Sequence, residues 1–381
     1  MINIAFATSS RSDFGIMKNL CIKLNQHKKI NFKLVVTGSH LDRNLGYSIS
    51  EIKELVNINK DIIPIKSISN SKKSTVKYMS EVKEKFFNYF TSKKIDFLII
   101  LGDRFEVFAI TQIAYILNIP IIHFHGGEVT NNIMDEAFRH SITKMSKYHF
   151  VSTKTYEKRV IQLGENPKRV FNVGSLGVEN IKLEKFLNKK SLEKKLKLKF
   201  LKNNILISYH IETNDIDKSI RNFDKLMKYI TPLKNTLLIL TYPNNDPGYN
   251  KLIDLINRYK KISKNLVVFK NLGSYLFYNL LRNVDCIIGN SSSGIIEAPS
   301  LNTYSINLGK RQDGRVKAIS TIDIPVRKKE IAKTLKNVFK DYLKIAKKKN
   351  LNPYEKKNSS DNVIKKILKF EKTSNKFFFN L

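Results

Sequence analysis

A chain of 381 residues exceeds what one hydrophobic core usually serves, and with 42% hydrophobic and 27% charged residues it has a globular composition, so two domains of ordinary size are expected. The apolar run in IDFLIIL (95–101) is too short for a bilayer, and MINIAFATSSRSDFG lacks the basic start, apolar stretch and cleavage site of a secretory leader, which makes a cytoplasmic protein with no membrane partner the expectation. A net charge of +35 would suit a nucleic acid, but the lysines are spread over segments such as 191–204 and 340–350, expected as solvated surface helices. The Ile, Asn and Lys bias without any Trp is that of an AT-rich genome, so no nucleic-acid partner is expected. Such a charge still draws in an anionic substrate. Cys21 and Cys286 offer neither a disulfide framework nor a zinc spacing, and no thiol mechanism is expected.

Taken in chain order, INIAFAT (2–8) reads as a buried strand followed by the polar loop SSRSDFG, and FKLVVTG (32–38) as a second strand. A long polar and helical stretch covers about 50–93. IDFLIIL then runs into GDRFE, and IPIIHFHGG, YHFVST and RVFNVG follow, with helices between. After a lysine-rich amphipathic segment near 180–200 the pattern restarts with NILISYH, TLLILTYP, LVVFKN, VDCIIGN and YSINLG. Purely apolar strands joined by helices mean parallel sheets covered on both faces. The fold class expected is α/β, with two Rossmann-like domains facing a central cleft, at 1–178 and 179–359. A last helix over about 360–381, seen in NVIKKILKFEKT, is expected to pack back on the first domain.

Reactive groups in such folds gather where strands end. Asp103 follows a buried strand and a glycine, with Arg104 beside it; a ligand-facing carboxylate and a helix cap fit it equally well. In IIHFHGGEVTNNIMDEAFRH (121–140), His123 lies inside the apolar strand and reads as a hydrogen-bonded core residue, whereas His125 and Glu128 are better site candidates. Asp135, Glu136, Arg139 and His140 open the next helix, where a spacing of four pairs Asp135 with Arg139 and Glu136 with His140. His210 ends an apolar strand, placed to meet a phosphate or donate a proton, or to cap. In VDCIIGNSSSGIIEAPS, the amides and hydroxyls of Ser291, Ser292 and Ser293 can form an anion site for a diphosphate, with Glu297 one turn on for ribose hydroxyls; an ordinary helix cap is the alternative. Neither GxGxxG nor a Walker A loop occurs, so NAD and ATP are not expected.

GDRFE, HFHGGEVTNNIMDEAFRHSITKMSKYHFVST, GNSSSGIIEAPSLNTYSINLGKRQDGR and the opening loop with Arg11 resemble the hydrolysing sugar-nucleotide 2-epimerases, in order over most of residues 1–325. These enzymes make N-acetylmannosamine for sialic acid, or the corresponding diacetamido sugar for legionaminic acid, on the glycosyltransferase-B architecture. Non-hydrolysing relatives carry GDT and TGQH, where this chain has GDRFE and TGSHL (37–41). Several relatives have Glu at the first position of an EGGE motif; this chain has His125 there, leaving Glu128 as the loop's carboxylate.

The resemblance implies a nucleotide-linked 2-acetamido sugar as substrate: UDP-N-acetylglucosamine, or diacetamidobacillosamine on UDP or GDP. The C2 proton and the C1 diphosphate are lost to give a glycal, water adds at C1, and a proton returns to C2 from the opposite face. It implies Asp103, Glu128, Asp135 and His210 as catalytic residues. Arg11, Arg104, His125, Ser291, Ser292, Ser293, Gly294, Glu297, Arg311 and Arg315 would bind substrate. No metal and no cofactor is demanded, because protein donors can neutralise the leaving group. A homodimer is the common expectation. A glycosyltransferase of the same architecture is the alternative, and a basic nucleic-acid-binding protein a more remote one; release of free sugar without an acceptor separates the first, and salt-sensitive binding the second.

Overall fold

The first strand, β1 (Ile2–Thr8), shows how the chain builds its layers: Ile4 and Phe6 point into one core and Ala5 and Ala7 into another, so both faces of the sheet are covered. The computed structural model describes residues 1–43, 47–53, 57–67, 71–131, 133–244, 246–341 and 352–380. They divide into two compact units, the first made of Met1–Val129, Met134–Asn180 and Tyr354–Leu381, the second of Thr130–Ile133 and Ile181–Pro353. Within the first unit, β1, β2 (Ile30–Val36), β3 (Lys60–Ile62), β4 (Phe97–Leu101), β5 (Ile121–Phe124), β6 (Tyr148–Val151) and β7 (Val170–Asn172) form one sheet in the order β3-β2-β1-β4-β5-β6-β7, with every pair parallel. Strand order reverses between β1 and β4, and that switch point is where an open parallel sheet offers room for a ligand beyond its strand ends.

The helix α1 (Arg11–Gln26) starts sharply because Ser10 and Asp13 form a reciprocal capping box, and its Met17, Leu20, Cys21 and Leu24 bury one face. Two helices flank β3 in the chain: α2 (Ile49–Lys53) precedes it, and α3 (Lys72–Thr91) separates it from β4. β3 falls inside the stretch read as helical; its three residues, KDI, carry no apolar alternation and sit at the sheet edge, held by the ladder to β2. Next come α4 (Phe105–Ile116), α5 (Asp135–Met145) and α6 (Lys154–Gln162), and α4 packs on α5 through stacked Phe108 and Phe138 at 4.7 Å.

The second unit repeats the plan with α7 (Leu176–Leu183) leading across from the first. It holds α8 (Lys189–Leu196), β8 (Asn203–Ser208), α9 (Ile216–Ile230), β9 (Thr236–Thr241), α10 (Tyr249–Ile262), β10 (Leu266–Phe269), α11 (Gly273–Asn283), β11 (Cys286–Gly289), α12 (Ser292–Ile296), β12 (Tyr304–Leu308), β13 (Thr321–Ile324) and α13 (Lys328–Val338). All six strands are parallel, in the order β10-β9-β8-β11-β12-β13, so β8 and β11 flank the equivalent switch point. Its two core layers lie on opposite sheet faces, one under α9, α10 and α13 and the other under α8 and α11. Of the two lysine-rich segments, 191–204 is helical only to Leu196, and 340–350 lies almost wholly outside the described residues.

The last helix, α14 (Ser359–Ile367), brings Val363, Ile364 and Ile367 into the same core layer as α1, and Lys23 pairs with Asp361 at 2.7 Å. It is shorter than the 360–381 expected. Beyond it Phe370 stacks on Tyr148 at 3.6 Å, Thr373 accepts from Lys147, and the Phe379 amide donates to the Gly164 carbonyl, so the tail's backbone follows the first unit's surface in place of its own helical ladder. Among the described residues no helix is long and apolar enough to cross a membrane. Both cysteines are buried, and burial pushes their thiols up, which makes them poor nucleophiles at neutral pH.

Candidate functional site

In the first unit, Asp103 and His125 lie just beyond neighbouring strand ends, since Leu101 of β4 pairs with Phe124 of β5 and the Gly102 amide donates to the Phe124 carbonyl. The helix-cap reading of Asp103 does not hold: α4 has Arg104 as its N-cap and no side-chain cap bond. Its carboxylate instead meets Arg139, a guanidinium that is 1% exposed and also engages Glu136 and the Glu128 carbonyl. Burial works against that charge, but Asp103 and Glu136 outweigh it and hold the arginine firmly protonated. Spacing alone offered Asp135 as a surface partner for Arg139; the fold buries the guanidinium and brings Asp103 to it from 36 residues away. The Glu136–His140 pair forms at 3.2 Å.

His123 has both ring nitrogens occupied, Nε2 donating to the Gly102 carbonyl at 2.9 Å and Nδ1 accepting from the Thr143 hydroxyl at 3.1 Å. Burial pushes its imidazole down to about 3, so it is a neutral strut that fixes the backbone before Asp103. His40 of TGSHL is a second such strut, between Thr8 and Ser48 at 2.9 Å each, also pushed down to about 3 by burial. Arg104 is buried, with Nε donating to buried Glu106 at 2.9 Å, which makes it an internal ion-pair member. Arg11 is the half-buried first residue of α1, and Asp135 the partly exposed first residue of α5.

His125 sits at φ +65, a conformation rare for a residue with a side chain, and its Nδ1 lies 2.7 Å from Glu128, which also accepts from Ser152. Gly127 follows at φ +76, and any Cβ there would come within 2.5 Å of the Tyr156 carbonyl. A tight backbone therefore holds the HGGE loop.

In the second unit a cross-brace joins the loops after β8 and β11: the His210 amide donates to Asn290 Oδ1 at 2.8 Å and Asn290 Nδ2 donates to the His210 carbonyl at 2.9 Å. The Asn290 carbonyl in turn accepts from Arg311 at 2.9 Å and from Gln312 at 2.8 Å. His210 Nδ1 accepts from the Asn244 amide at 3.3 Å, which leaves the ring proton on Nε2 and makes His210 a neutral donor. Arg315 reaches the Thr130 hydroxyl at 3.1 Å. Of the three serines, Ser291 caps α12 by accepting from the Ser293 amide, and Glu297, 5% exposed, ends that five-residue helix. Gly294 lets α12 press on β12, where a Cβ would meet Ser305 Oγ at 2.4 Å.

Gly289 stands at φ +146, and a Cβ there would fall 1.9 Å from the Ser208 carbonyl oxygen. Gly289→Ala is therefore expected to destabilise the protein by more than about 3 kcal/mol in urea unfolding, since backbone must shift and the brace with it; a change below about 1 kcal/mol would show that the β8–β11 junction tolerates the displacement. Arg139, Asn290 and Gln312 were not singled out as site residues from sequence. The Gly-Asn pair directly after a buried strand was the available signal for Asn290; Gln312 gave none.

Two all-parallel units with Rossmann-type strand order, each carrying polar groups at its switch point, place the protein among the α/β proteins of glycosyltransferase-B-like fold. The chain belongs to the UDP-N-acetylglucosamine 2-epimerase family, whose model matches residues 22–368. It is similar to the GDP/UDP-N,N'-diacetylbacillosamine 2-epimerase (hydrolyzing) of Campylobacter jejuni, 39% identical over 321 residues, which are 84% of this chain and 83% of that protein. The polysialic acid biosynthesis protein P7 of Escherichia coli is 39% identical over 383 residues, covering 99% of this chain and 96% of its own. Among solved structures, UDP-GlcNAc 2-epimerase from Neisseria meningitidis bound to UDP-GlcNAc superposes with a TM-score of 0.80 at 18% identity, over 97% of this chain and 100% of that one, a likeness of fold.

Proposed function

We propose that the protein is a hydrolysing 2-epimerase, taking a nucleotide-linked 2-acetamido sugar and water to the free manno-configured sugar and nucleoside diphosphate by way of a glycal, for nonulosonic acid synthesis. The observation that carries this reading is the pair of neighbouring strand ends in the first unit, one bearing Asp103 on a buried arginine and the other the His125–Glu128 pair. Inversion at C2 needs a proton taken from one face and returned to the other, and a single group cannot reach both. Asp103, Asp135 and the HGGE loop are the proton carriers in this reading. In the second unit, His210, as a neutral Nε2–H donor, and Arg311, Arg315 and the serine loop with Glu297 would hold the nucleoside diphosphate.

The relative from Campylobacter jejuni, by its name, supports a diacetamido sugar on UDP or GDP; UDP-N-acetylglucosamine is the other donor to assay. In sum the reaction cleaves a glycosyl–phosphate bond with water, which places it with the glycosyl hydrolases, and it leaves the oxidation state of the sugar unchanged. A cytoplasmic homodimer acting on these soluble donors completes the reading.

Turnover in heavy water is expected to place one deuterium at C2 of the released sugar, with nucleoside diphosphate formed in equal amount, as mass spectrometry and proton NMR can follow. Product still protiated at C2 would sink the glycal route.

A further inference from the structure

We propose that the imidazole of His125 is the base that takes the C2 proton in the elimination, with Glu128 as its positioning partner; this rests on the 2-epimerase reading above. Glu128 is 3% exposed and, as a carboxylate, can only accept, so the proton of the His125 ring belongs on Nδ1, facing Glu128 at 2.7 Å. Nε2 is left with a lone pair. It makes no hydrogen bond among the described residues and is not one of the polar atoms walled off from solvent. His123, two residues earlier and inside β5, has both nitrogens occupied, so of these two imidazoles His125 is the one that offers a lone pair outward.

The backbone supports the same assignment. A side-chain-bearing residue at φ +65 is strained and persists only where the surroundings hold it. Here the His125 amide donates to the Phe150 carbonyl at 3.0 Å, while Ser152 just past β6 fixes Glu128 at 3.3 Å. The strained turn thus aims the ring, and a carboxylate fixes its tautomer, the arrangement by which a histidine is made a directed base. In the step, the C2–H electron pair becomes the C1=C2 bond and the C1–O bond breaks with its pair leaving on the nucleoside diphosphate. The proton stays on Nε2, and Glu128 offsets the imidazolium charge. Return of a proton to the opposite face of C2 then falls to a different group.

The test compares wild type with His125→Asn, His125→Gly and Glu128→Gln on UDP-N-acetylglucosamine and on the diacetamidobacillosamine donors, and on the corresponding added glycals. Asn and Gly both suit the left-handed backbone. His125→Asn is expected to lose about 100-fold or more in release of nucleoside diphosphate while still hydrating the glycal. His125→Gly should regain turnover at least about tenfold when free imidazole is added, a rescue that a structural role would not give. Glu128→Gln should lower kcat with KM little changed. Near-wild-type elimination by His125→Asn, or a folded His125→Gly that imidazole does not rescue, overturns the inference while the 2-epimerase reading stands. A wild type that releases neither sugar nor nucleoside diphosphate from any of these donors overturns both.

Discussion

Asp103→Asn is expected to lower turnover about 100-fold or more while leaving nucleoside diphosphate affinity nearly intact. Asparagine keeps the size of the side chain and one oxygen for Arg139, but it neither accepts a proton at neutral pH nor carries the charge opposite that guanidinium. A cap role would predict survival, because asparagine caps as well as aspartate; the structure has already removed that explanation by giving the N-cap of α4 to Arg104. Steady-state kinetics with calorimetric titration of nucleoside diphosphate checks the result, and a urea curve close to wild type excludes misfolding. Turnover near wild type would remove Asp103 from the chemistry and leave the fold untouched.

Arg139→Met is expected to destabilise the protein by about 3–5 kcal/mol and to abolish measurable turnover. Methionine fills much of the volume, but two carboxylates, Asp103 and Glu136, and the Glu128 carbonyl lose the donor that joins them. Arg139→Lys should recover only part of either quantity, since an ammonium is a point charge and cannot present the planar fork that serves several acceptors at once. Chemical denaturation of the three proteins measures the first effect and donor turnover the second. A loss below about 1 kcal/mol for Arg139→Met would mean that the guanidinium is not the hub of the cluster.

The two large-effect variants show how differently parts of the site could be read from sequence. Asp103, His125 and His210 each end an apolar strand, and strand ends are recognisable because strands buried on both faces are almost purely apolar up to the residue where the chain turns polar. Arg139 is different. On a helix four residues past Asp135 it looks like a solvated partner, and nothing local says that the α4–α5 contact at Phe108 and Phe138 turns it inward. Arg104 shows the reverse case, a cation beside a candidate carboxylate that the fold pairs with Glu106 two residues later.

By itself the sequence determined the α/β class, eleven of the strands and the polar segments at their ends, because burial on two faces and the alternation of strand with amphipathic helix are written in residue order. It also carried the family, through ordered motifs from GDRFE to KRQDGR. The edge strands β3 and β13, KDI and TIDI, came only with the sheet, whose neighbouring strands supply the pairing that their own composition does not announce. Tertiary structure alone decided who meets whom. Asp103, just past β4, meets Arg139 of α5 across 36 residues, and His210 meets Asn290 across 80, contacts that chain spacing does not announce. The strand order that sets β8 beside β11 brings the His210 and Asn290 loops within hydrogen-bonding reach, whereas Arg139 comes to Asp103 on α5, which packs against α4.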